Sequence, residues 1–343
     1  MTCDRCQEFT EKGAAFCPYC GTRLGAAKTP VGSPPKRYGF IFIAGMVAAV
    51  QGILIMLFEI LVGWGKTKYV LDGLAGKSIT LYYITPQLRD LVTVGDVGVM
   101  VMYVLEMITI TACFGLILYQ AFRKVRDSYG DIRTVEDTAA YEMPIMLGLL
   151  LLAEIFFIIF IRIAGVETDG GGDSTMTPRL IMSLLHASVY EELLCRLGML
   201  GLPCLIVALM LKRKDSPWWR YLLGGAKFEW WMVVFVLFSA VMFGAAHLTN
   251  WGTWKFIPTF VFGLVTGYLF LKYGLHACIG AHFLNDFLMA SQWGFGAPAM
   301  FMLGMLVVGL CSLPYLVRYA IRIRDAYARF SQKRRESRIK EAE

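Results

Sequence analysis

The sequence predicts an all-α membrane protein, a polytopic bundle of about eight transmembrane helices preceded by a small cysteine-rich module. Two observations predict the bundle. First, 57% of the 343 residues are hydrophobic and only 17% are charged, and the mean hydropathy is +0.57, which is far from a soluble globular profile. Second, the apolar residues form segments near the ~20 residues that a helix needs to cross hydrocarbon about 30 Å thick.

Eight apolar segments are candidate membrane spans: 38–64, 94–120, 143–165, 179–211, 229–248, 255–272, 275–291 and 297–318. The fourth segment is too long for one ordinary helix, and Gly198, Gly201 and Pro203 could break it into two pieces. The 275–291 segment is short and is a candidate for a re-entrant helix. With straight helices, His247 would lie at the outer end of its segment and would not meet His282.

The basic residues are distributed unevenly between the two sides of this topology. Eight spans place both termini on one side, and the loops and the tail on that side carry most of the Lys and Arg residues. By the positive-inside rule this side is the cytoplasm, although the first outer loop also contains Lys66, Lys68, Lys77 and Arg89. We therefore expect an integral protein, in the plasma membrane, with both termini cytoplasmic. Beside a membrane, the net charge of +7 favours anionic lipids over nucleic acid as partners.

The first residues contain two cysteine pairs, Cys3-x-x-Cys6 and Cys17-x-x-Cys20. Four thiolates at two tight turns are typical of a structural zinc site, and a cytoplasmic location argues against disulfides. Four cysteines occupy all four coordination positions of a tetrahedral zinc ion and leave none for a substrate. This zinc ribbon is therefore expected to dock a cytoplasmic protein partner instead of performing chemistry. The predicted regions are the ribbon at 1–24, a flexible linker at 25–37, the membrane domain at 38–318 and a basic cytoplasmic tail at 319–343.

Three polar patterns lie within or at the edge of apolar segments. Ionisable side chains are costly in hydrocarbon and usually mark function, so the three patterns together predict a reaction centre in the membrane. The patterns are Glu191-Glu192-x-x-x-Arg196, Phe243-x-x-x-His247 and His282-x-x-x-Asp286.

Helical spacing assigns these residues different tasks. Glu192 and Arg196 are four residues apart and share a helix face, so they are expected to pair. Glu191 is rotated by about 100° from Glu192 on an α-helix and is left free to act as a general base. Asp286 is one turn from His282 and can orient its ring. A base, two imidazoles and an orienting acid are the parts needed to hydrolyse an amide.

In these motifs the chain resembles the CPBP intramembrane protease family, also called the CAAX-processing or abortive-infection family. That family is marked by EExxxR, FxxxH and HxxxN or HxxxD on a bundle of eight transmembrane helices. All three motifs occur here in order, and the resemblance covers residues 38–318. It implies an endopeptidase that cleaves a peptide bond near the membrane surface, with the C-terminal tripeptide of prenylated, lipid-anchored proteins as the known substrate class.

The resemblance also implies the role of each residue. Glu191 would activate the hydrolytic water, and His247 would help to hold it. Glu192 with Arg196 would support the site, and His282 with Asp286 would stabilise the oxyanion. Asp286 departs from the commoner asparagine, and an ionised aspartate cannot donate a hydrogen bond. Protonation of Asp286, orientation of His282 by Asp286, and an amide supplied by Asn285 are the alternatives, and we favour orientation.

Whether this centre also binds a metal is a separate question. Glutamate with two histidines can hold zinc, and members of the family have been described with and without a metal. The chain lacks H-E-x-x-H, which places two imidazoles on one helix face. We favour a metal-free glutamate mechanism and keep a zinc site as its competitor.

Two other functions compete with proteolysis. A non-proteolytic scaffold or bacteriocin-immunity-type protein would recruit partners through the zinc ribbon and keep the polar network for packing. A transporter would use the buried charges as a relay, but the sequence lacks the paired repeats typical of transporters.

Overall fold

The computed structural model describes residues 39–85, 87–168, 177–289 and 298–342, together with Cys6 and Cys20. Two compact units divide the chain, residues 1–43 and residues 44–343. The second unit is predominantly helical. Among the described residues, six helices are long and apolar enough to cross a membrane, and Met232–Ala246 is a shorter apolar helix. The predicted all-α membrane bundle is confirmed.

The helices within this bundle alternate with short connections. In chain order they are α1 Phe40–Gly65, α2 Thr67–Leu74, α3 Asp96–Asp127, α4 Ala139–Ile163, α5 Pro178–Met210, α6 Trp218–Leu223, α7 Met232–Ala246, α8 Leu248–Trp251, α9 Phe256–Lys272, α10 Leu275–Met289, α11 Pro298–Ser312 and α12 Pro314–Ala342. One span by length and composition, Leu303–Asp325, crosses from α11 into α12.

Helix α5 does not break, contrary to the expectation from Gly198, Gly201 and Pro203. It runs as α-helix over Pro178–His186, as π-helix over Ala187–Glu191 and Leu193–Gly201, and again as α-helix over Leu202–Met210. The wider π turns absorb extra residues, which lets a long apolar stretch remain one element. Pro203 stands where the π-helical part passes into the last α-helical part, at a change of hydrogen-bonding pattern.

Two of the predicted spans are short helices. α7 and the described part of α10 have 15 residues each, or about 22 Å at 1.5 Å per residue, less than the hydrocarbon thickness of about 30 Å. The end of one can therefore reach the depth at which the middle of the other lies. This removes the obstacle to a meeting of His247 and His282.

A two-stranded antiparallel hairpin connects α2 to α3, an element that the all-α prediction did not contain. Strand β1, Ile79–Ile84, pairs with β2, Leu88–Val94, and the register shifts between Leu81 and Tyr82. The extra residue of this bulge is Leu91, so β2 is the strand that bends. Tyr82 of β1 lies beside the bulge and contacts the polar centre of the bundle.

A cluster of polar residues around Glu142 lies at one end of the helix bundle. Glu142, near the start of α4, accepts hydrogen bonds from Lys272 at the end of α9 and from the Tyr273 hydroxyl. Arg322 of α12 lies 3.5 Å from the same carboxylate. The start of α4, the end of α9 and this part of α12 therefore share one end of the bundle.

Candidate active site

The first motif lies on the π-helical part of α5. Glu191 ends the first π segment, and Arg196 lies within the second. Wide turns leave some carbonyls without their usual i+4 partner, and the Ser239 hydroxyl of α7 donates to the carbonyl of Cys195 at 2.8 Å. π-Helical insertions are frequent at functional sites because they redirect side chains within a helix. In this way Glu191 and Glu192 point to different partners.

Glu192 binds two partners in a fully buried setting. Its Oε2 lies 3.1 Å from Nε of Arg196, and both side chains have 0% exposure. Its Oε1 lies 2.8 Å from Nδ1 of His282. A carboxylate only accepts, so Nδ1 of His282 carries the proton of this bond. Arg196 also donates to the Thr266 hydroxyl of α9. Glu192 thus neutralises a buried guanidinium and orients an imidazole.

Glu191 faces the two histidines across a gap. Its Oε2 lies 3.9 Å from Nε2 of His247 and 4.0 Å from Nε2 of His282. Both distances are too long for a direct hydrogen bond. They suit a water molecule bound at about 2.8 Å to each group with an angle near 90°. The structure therefore brings Glu191, His247 and His282 together around a space of about one water.

The ring of His247 is fixed by its own helix. Nδ1 of His247 lies 2.8 Å from the backbone carbonyl of Phe243. Because a carbonyl only accepts, Nδ1 holds the proton, and in a neutral ring Nε2 presents a lone pair towards Glu191. Phe243 packs 4.8 Å from the His247 ring and 5.9 Å from the His282 ring, centroid to centroid. Its ring is buried beside both imidazoles.

Asp286 lies at the edge of this group. Its Oδ2 is 3.5 Å from Nε2 of His282, and its Oδ1 lies 3.4 Å from the amide nitrogen of Asn285. The shorter contact of His282 is with Glu192, whose Oε1 lies 2.8 Å from the other ring nitrogen, Nδ1. Orientation of His282, which the sequence assigned to Asp286, therefore has a stronger source in Glu192.

Tyr82 is a site residue that sequence reasoning missed. Its hydroxyl donates to Oε1 of Glu191 at 2.7 Å. Burial, followed by the negative charge of Glu191, raises the pKa of Tyr82 far above its ordinary value, so the hydroxyl stays protonated and remains a donor. The backbone carbonyl of Tyr82 accepts from the Tyr190 hydroxyl at 2.7 Å. No local sequence pattern predicts this residue, because it lies in a hairpin about a hundred residues before Glu191 in the chain.

The site lies in a large cavity. Its volume is about 1180 Å³, and its wall includes Glu191, His247, His282 and Asp286. Apolar side chains alternate in the wall with charged ones, among them Lys77, Glu154, Arg162, Arg179 and Lys255. The size exceeds the usual 300–1,000 Å³ of small-ligand pockets. A cavity of this size and mixed polarity accommodates several residues of a peptide.

One further buried pair borders the cavity. His186 lines the wall, its Nδ1 lies 2.7 Å from Glu106, and its ring stacks on Tyr190 with centroids 4.6 Å apart. Neither His186 nor Glu106 belongs to any of the three motifs. His186 stacks on Tyr190, the Tyr190 hydroxyl donates to the Tyr82 carbonyl, and the Tyr82 hydroxyl donates to Glu191. The pair is thus linked to Glu191 through two tyrosines.

The Glu191 and histidine atoms do not fit a tetrahedral zinc ion as they stand. Zinc bonds of 2.0–2.2 Å place neighbouring ligand atoms about 3.3–3.5 Å apart, whereas Glu191 Oε2 lies 3.9 Å and 4.0 Å from the two imidazole nitrogens. Within the described ranges, no group of three or more His, Cys, Asp or Glu residues has an arrangement that could hold a metal.

The predicted zinc ribbon falls mostly outside the described residues, which include Cys6 and Cys20 but neither Cys3 nor Cys17. The two described sulfurs come from different CxxC pairs and lie 3.5 Å apart. Two sulfurs bound to one tetrahedral zinc at 2.3 Å would be about 3.8 Å apart, and the zinc site stays a prediction.

Comparison with known protein families gives a match over part of the chain. A family model described as type II CAAX prenyl endopeptidase Rce1-like matches residues 173–288. The matched range contains Glu191, Glu192, Arg196, His247, His282 and Asp286, and it supports a CAAX-type intramembrane protease in general. Neither the curated proteins nor the solved structures contain a match.

Proposed function

We propose that the chain is an intramembrane endopeptidase in which Glu191 activates a water molecule. The observation that carries this proposal is the gap between Oε2 of Glu191 and Nε2 of His247, 3.9 Å wide. Both atoms are acceptors, so one water can donate a proton to each and direct its oxygen lone pair at a substrate carbonyl.

Hydrolysis in this geometry needs no further reactant. Glu191 takes a proton from the water as its oxygen attacks the scissile carbonyl carbon, which becomes a tetrahedral oxyanion. The carbon–nitrogen bond then breaks, and Glu191 returns the proton to the leaving nitrogen, which yields an acid and an amine. Tyr82 holds Glu191 in position through its 2.7 Å hydrogen bond.

His282 is the donor to the oxyanion in this proposal. Glu192 accepts from Nδ1 of His282 at 2.8 Å, and Asp286 lies 3.5 Å from Nε2. An imidazolium between these carboxylates carries a proton on both ring nitrogens, and Nε2 lies near Glu191, where the oxyanion forms. Asp286 balances this charge and leaves the oxyanion contact to His282.

The substrate is a membrane-anchored peptide. The cavity lies within a bundle whose described part contains six apolar helices long enough to cross a membrane, and its volume of about 1180 Å³ accommodates a peptide segment. Lipidated proteins of the CAAX class are one source of such peptides, in keeping with the matched family. Anionic lipids are further partners, through the basic residues of α12.

The zinc of the protein is structural in this proposal. It is bound by Cys3, Cys6, Cys17 and Cys20 and stabilises the fold of the ribbon. The ribbon docks a cytoplasmic protein. The 3.5 Å separation of the Cys6 and Cys20 sulfurs supports this assignment. The Glu191 centre works without a metal.

Glu191→Ala separates this enzyme from a scaffold that acts through its ribbon. The assay uses the purified chain in lipid nanodiscs with peptides anchored by a prenyl chain, an acyl chain or a transmembrane helix, and mass spectrometry identifies the products. We expect cleavage by the unaltered chain and none by Glu191→Ala. Equal cleavage by both, or an unchanged biological effect of the variant in cells, contradicts the proposal.

A further inference from the structure

The cavity opens at one defined end of the helix bundle. Its wall is formed by the hairpin that follows α1 and α2, by the start of α5, by His247 after the end of α7, and by the second half of α10. Helix α4 contributes residues from Leu147 onwards, up to Arg162 in its last turn. The end of α4 and the start of α5 therefore lie on the cavity side.

The other end of the same helices carries a different set of contacts. Glu142 at the start of α4 binds Lys272 at the end of α9. Glu136, just before α4, forms a paired contact with Arg318 of α12, with distances of 2.7 and 2.9 Å. The start of α4, the end of α9 and helix α12 are thus remote from the cavity mouth. The basic part of α12 continues from this end.

The loops at this second end are the basic ones. The connection from α5 to α7 contains Lys212, Arg213, Lys214, Arg220 and Lys227. Short loops rich in Lys and Arg stay in the cytoplasm, and acidic residues contribute little to this preference. The connections 247–254 and 164–177, which border the cavity, contain no Lys or Arg, although Arg162, Arg179 and Lys255 flank them.

The end of α3 adds to the same asymmetry. Arg123, Lys124 and Arg126 lie in its last turns, and Arg133 follows in the short helical turn Ile132–Asp137. The cavity side has seven basic residues near the helix ends: Lys66, Lys68, Lys77, Arg89, Arg162, Arg179 and Lys255. The other end has the nine named above and further Lys and Arg residues in α12, so the seven oppose the preference without balancing it. The sum over the described loops and α12 places the second end in the cytoplasm.

We infer that the cavity opens on the face of the membrane opposite the cytoplasm, and that its substrates are peptide segments anchored in the outer leaflet. The substrate part of this inference rests on the proposed function. Among the membrane-anchored peptides of the proposed function, it favours those on the extracytoplasmic face over prenylated C termini in the cytosol. Such peptides reach Glu191 past the hairpin and the α7–α9 connection, without crossing the bilayer.

Cysteine labelling tests the sidedness directly. Ser78 is exposed and lies in the cavity wall, and Lys214 is exposed in the basic loop at the other end. The full-length variants Ser78→Cys and Lys214→Cys are treated, in intact spheroplasts and after detergent, with a maleimide that cannot cross membranes. Peptide mass spectrometry reads each substituted site, so the native cysteines do not interfere.

We expect Ser78→Cys to react fully in intact spheroplasts and Lys214→Cys to react at least tenfold more after detergent. The reverse pattern overturns the inference. Labelling does not depend on catalysis, so a chain that labels as expected but cleaves no peptide contradicts the proposed function and leaves the sidedness intact. A chain that cleaves peptides but shows the reverse labelling pattern supports the proposed function and contradicts the sidedness.

Discussion

Nδ1 of His282 lies 2.8 Å from Oε1 of Glu192, although the two residues are 90 positions apart in the chain. The other oxygen of the same carboxylate lies 3.1 Å from Nε of Arg196. One buried carboxylate therefore joins α5 to α10, and it also neutralises the guanidinium. The second glutamate of the motif positions the site and leaves the first for chemistry.

Glu192→Gln is expected to destabilise the protein markedly. Loss of one partner of a buried ion pair leaves the other charge without compensation and costs about 3–5 kcal/mol. Denaturant unfolding in detergent micelles measures the change. Asp72→Asn is the matched control, because Asp72 pairs with Lys68 on the surface with 65% exposure of its side chain, and exposed pairs contribute only about 0–1 kcal/mol. Equal effects of the two changes would contradict the assigned role.

Tyr82→Phe is expected to lower kcat roughly 10- to 100-fold with little change in KM. The change removes a hydrogen bond to a charged group, which contributes about 1.5–3 kcal/mol, and it keeps the ring and its packing. Steady-state cleavage of an anchored peptide measures both constants. Tyr83→Phe is the control, since Tyr83 is 43% exposed on the same strand. An unchanged kcat for Tyr82→Phe would show that the hydroxyl does not position Glu191.

Asp286→Asn is expected to retain cleavage within about tenfold of the unaltered chain. Glu192 already orients His282 from the other ring nitrogen, and an asparagine amide adds a donor near the oxyanion. Asp286→Ala offers neither charge nor donor and should lose more activity than the asparagine variant. If both variants lose activity equally, the carboxylate charge itself is required, and the secondary role given to Asp286 is wrong.

Replacement of Cys3, Cys6, Cys17 and Cys20 by serine is expected to remove the zinc of the protein. Elemental analysis of the purified full chain should find one equivalent, and analysis of the four-serine variant should find none. Peptide cleavage by the variant should continue, since the Glu191 centre is proposed to work without metal. Zinc retained at one equivalent in the variant would instead place an ion at Glu191 and the two histidines.

Local spacing predicted part of this site. The four-residue separation correctly pairs Glu192 with Arg196, because both lie on one helix, and hydropathy located the helices that the structure contains. The same spacing could not predict the bond from Glu192 to His282, which depends on how α5 packs against α10. Nor could it predict the π turns of α5, which resolve the excess length of that segment.

The hairpin and the depth of the histidines were also beyond the sequence patterns. Tyr82 reaches Glu191 from a hairpin in the first outer loop, 109 positions away in the chain. His247 and His282 meet because α7 and α10 are short, a property set by tertiary packing. Hydropathy windows average over such boundaries, so straight full-length spans wrongly separated the two residues.

The most direct test of the account is the rate of peptide cleavage by Glu191→Gln. The amide keeps the shape of the side chain and cannot take a proton from water, so the rate should fall by about 10²–10⁴-fold, the usual contribution of a general base. Glu59→Gln is the control, since Glu59 is a buried glutamate of α1 outside the cavity wall, and it should cleave at nearly the unaltered rate. A Glu191→Gln rate equal to that of Glu59→Gln would contradict the central claim that Glu191 activates the water.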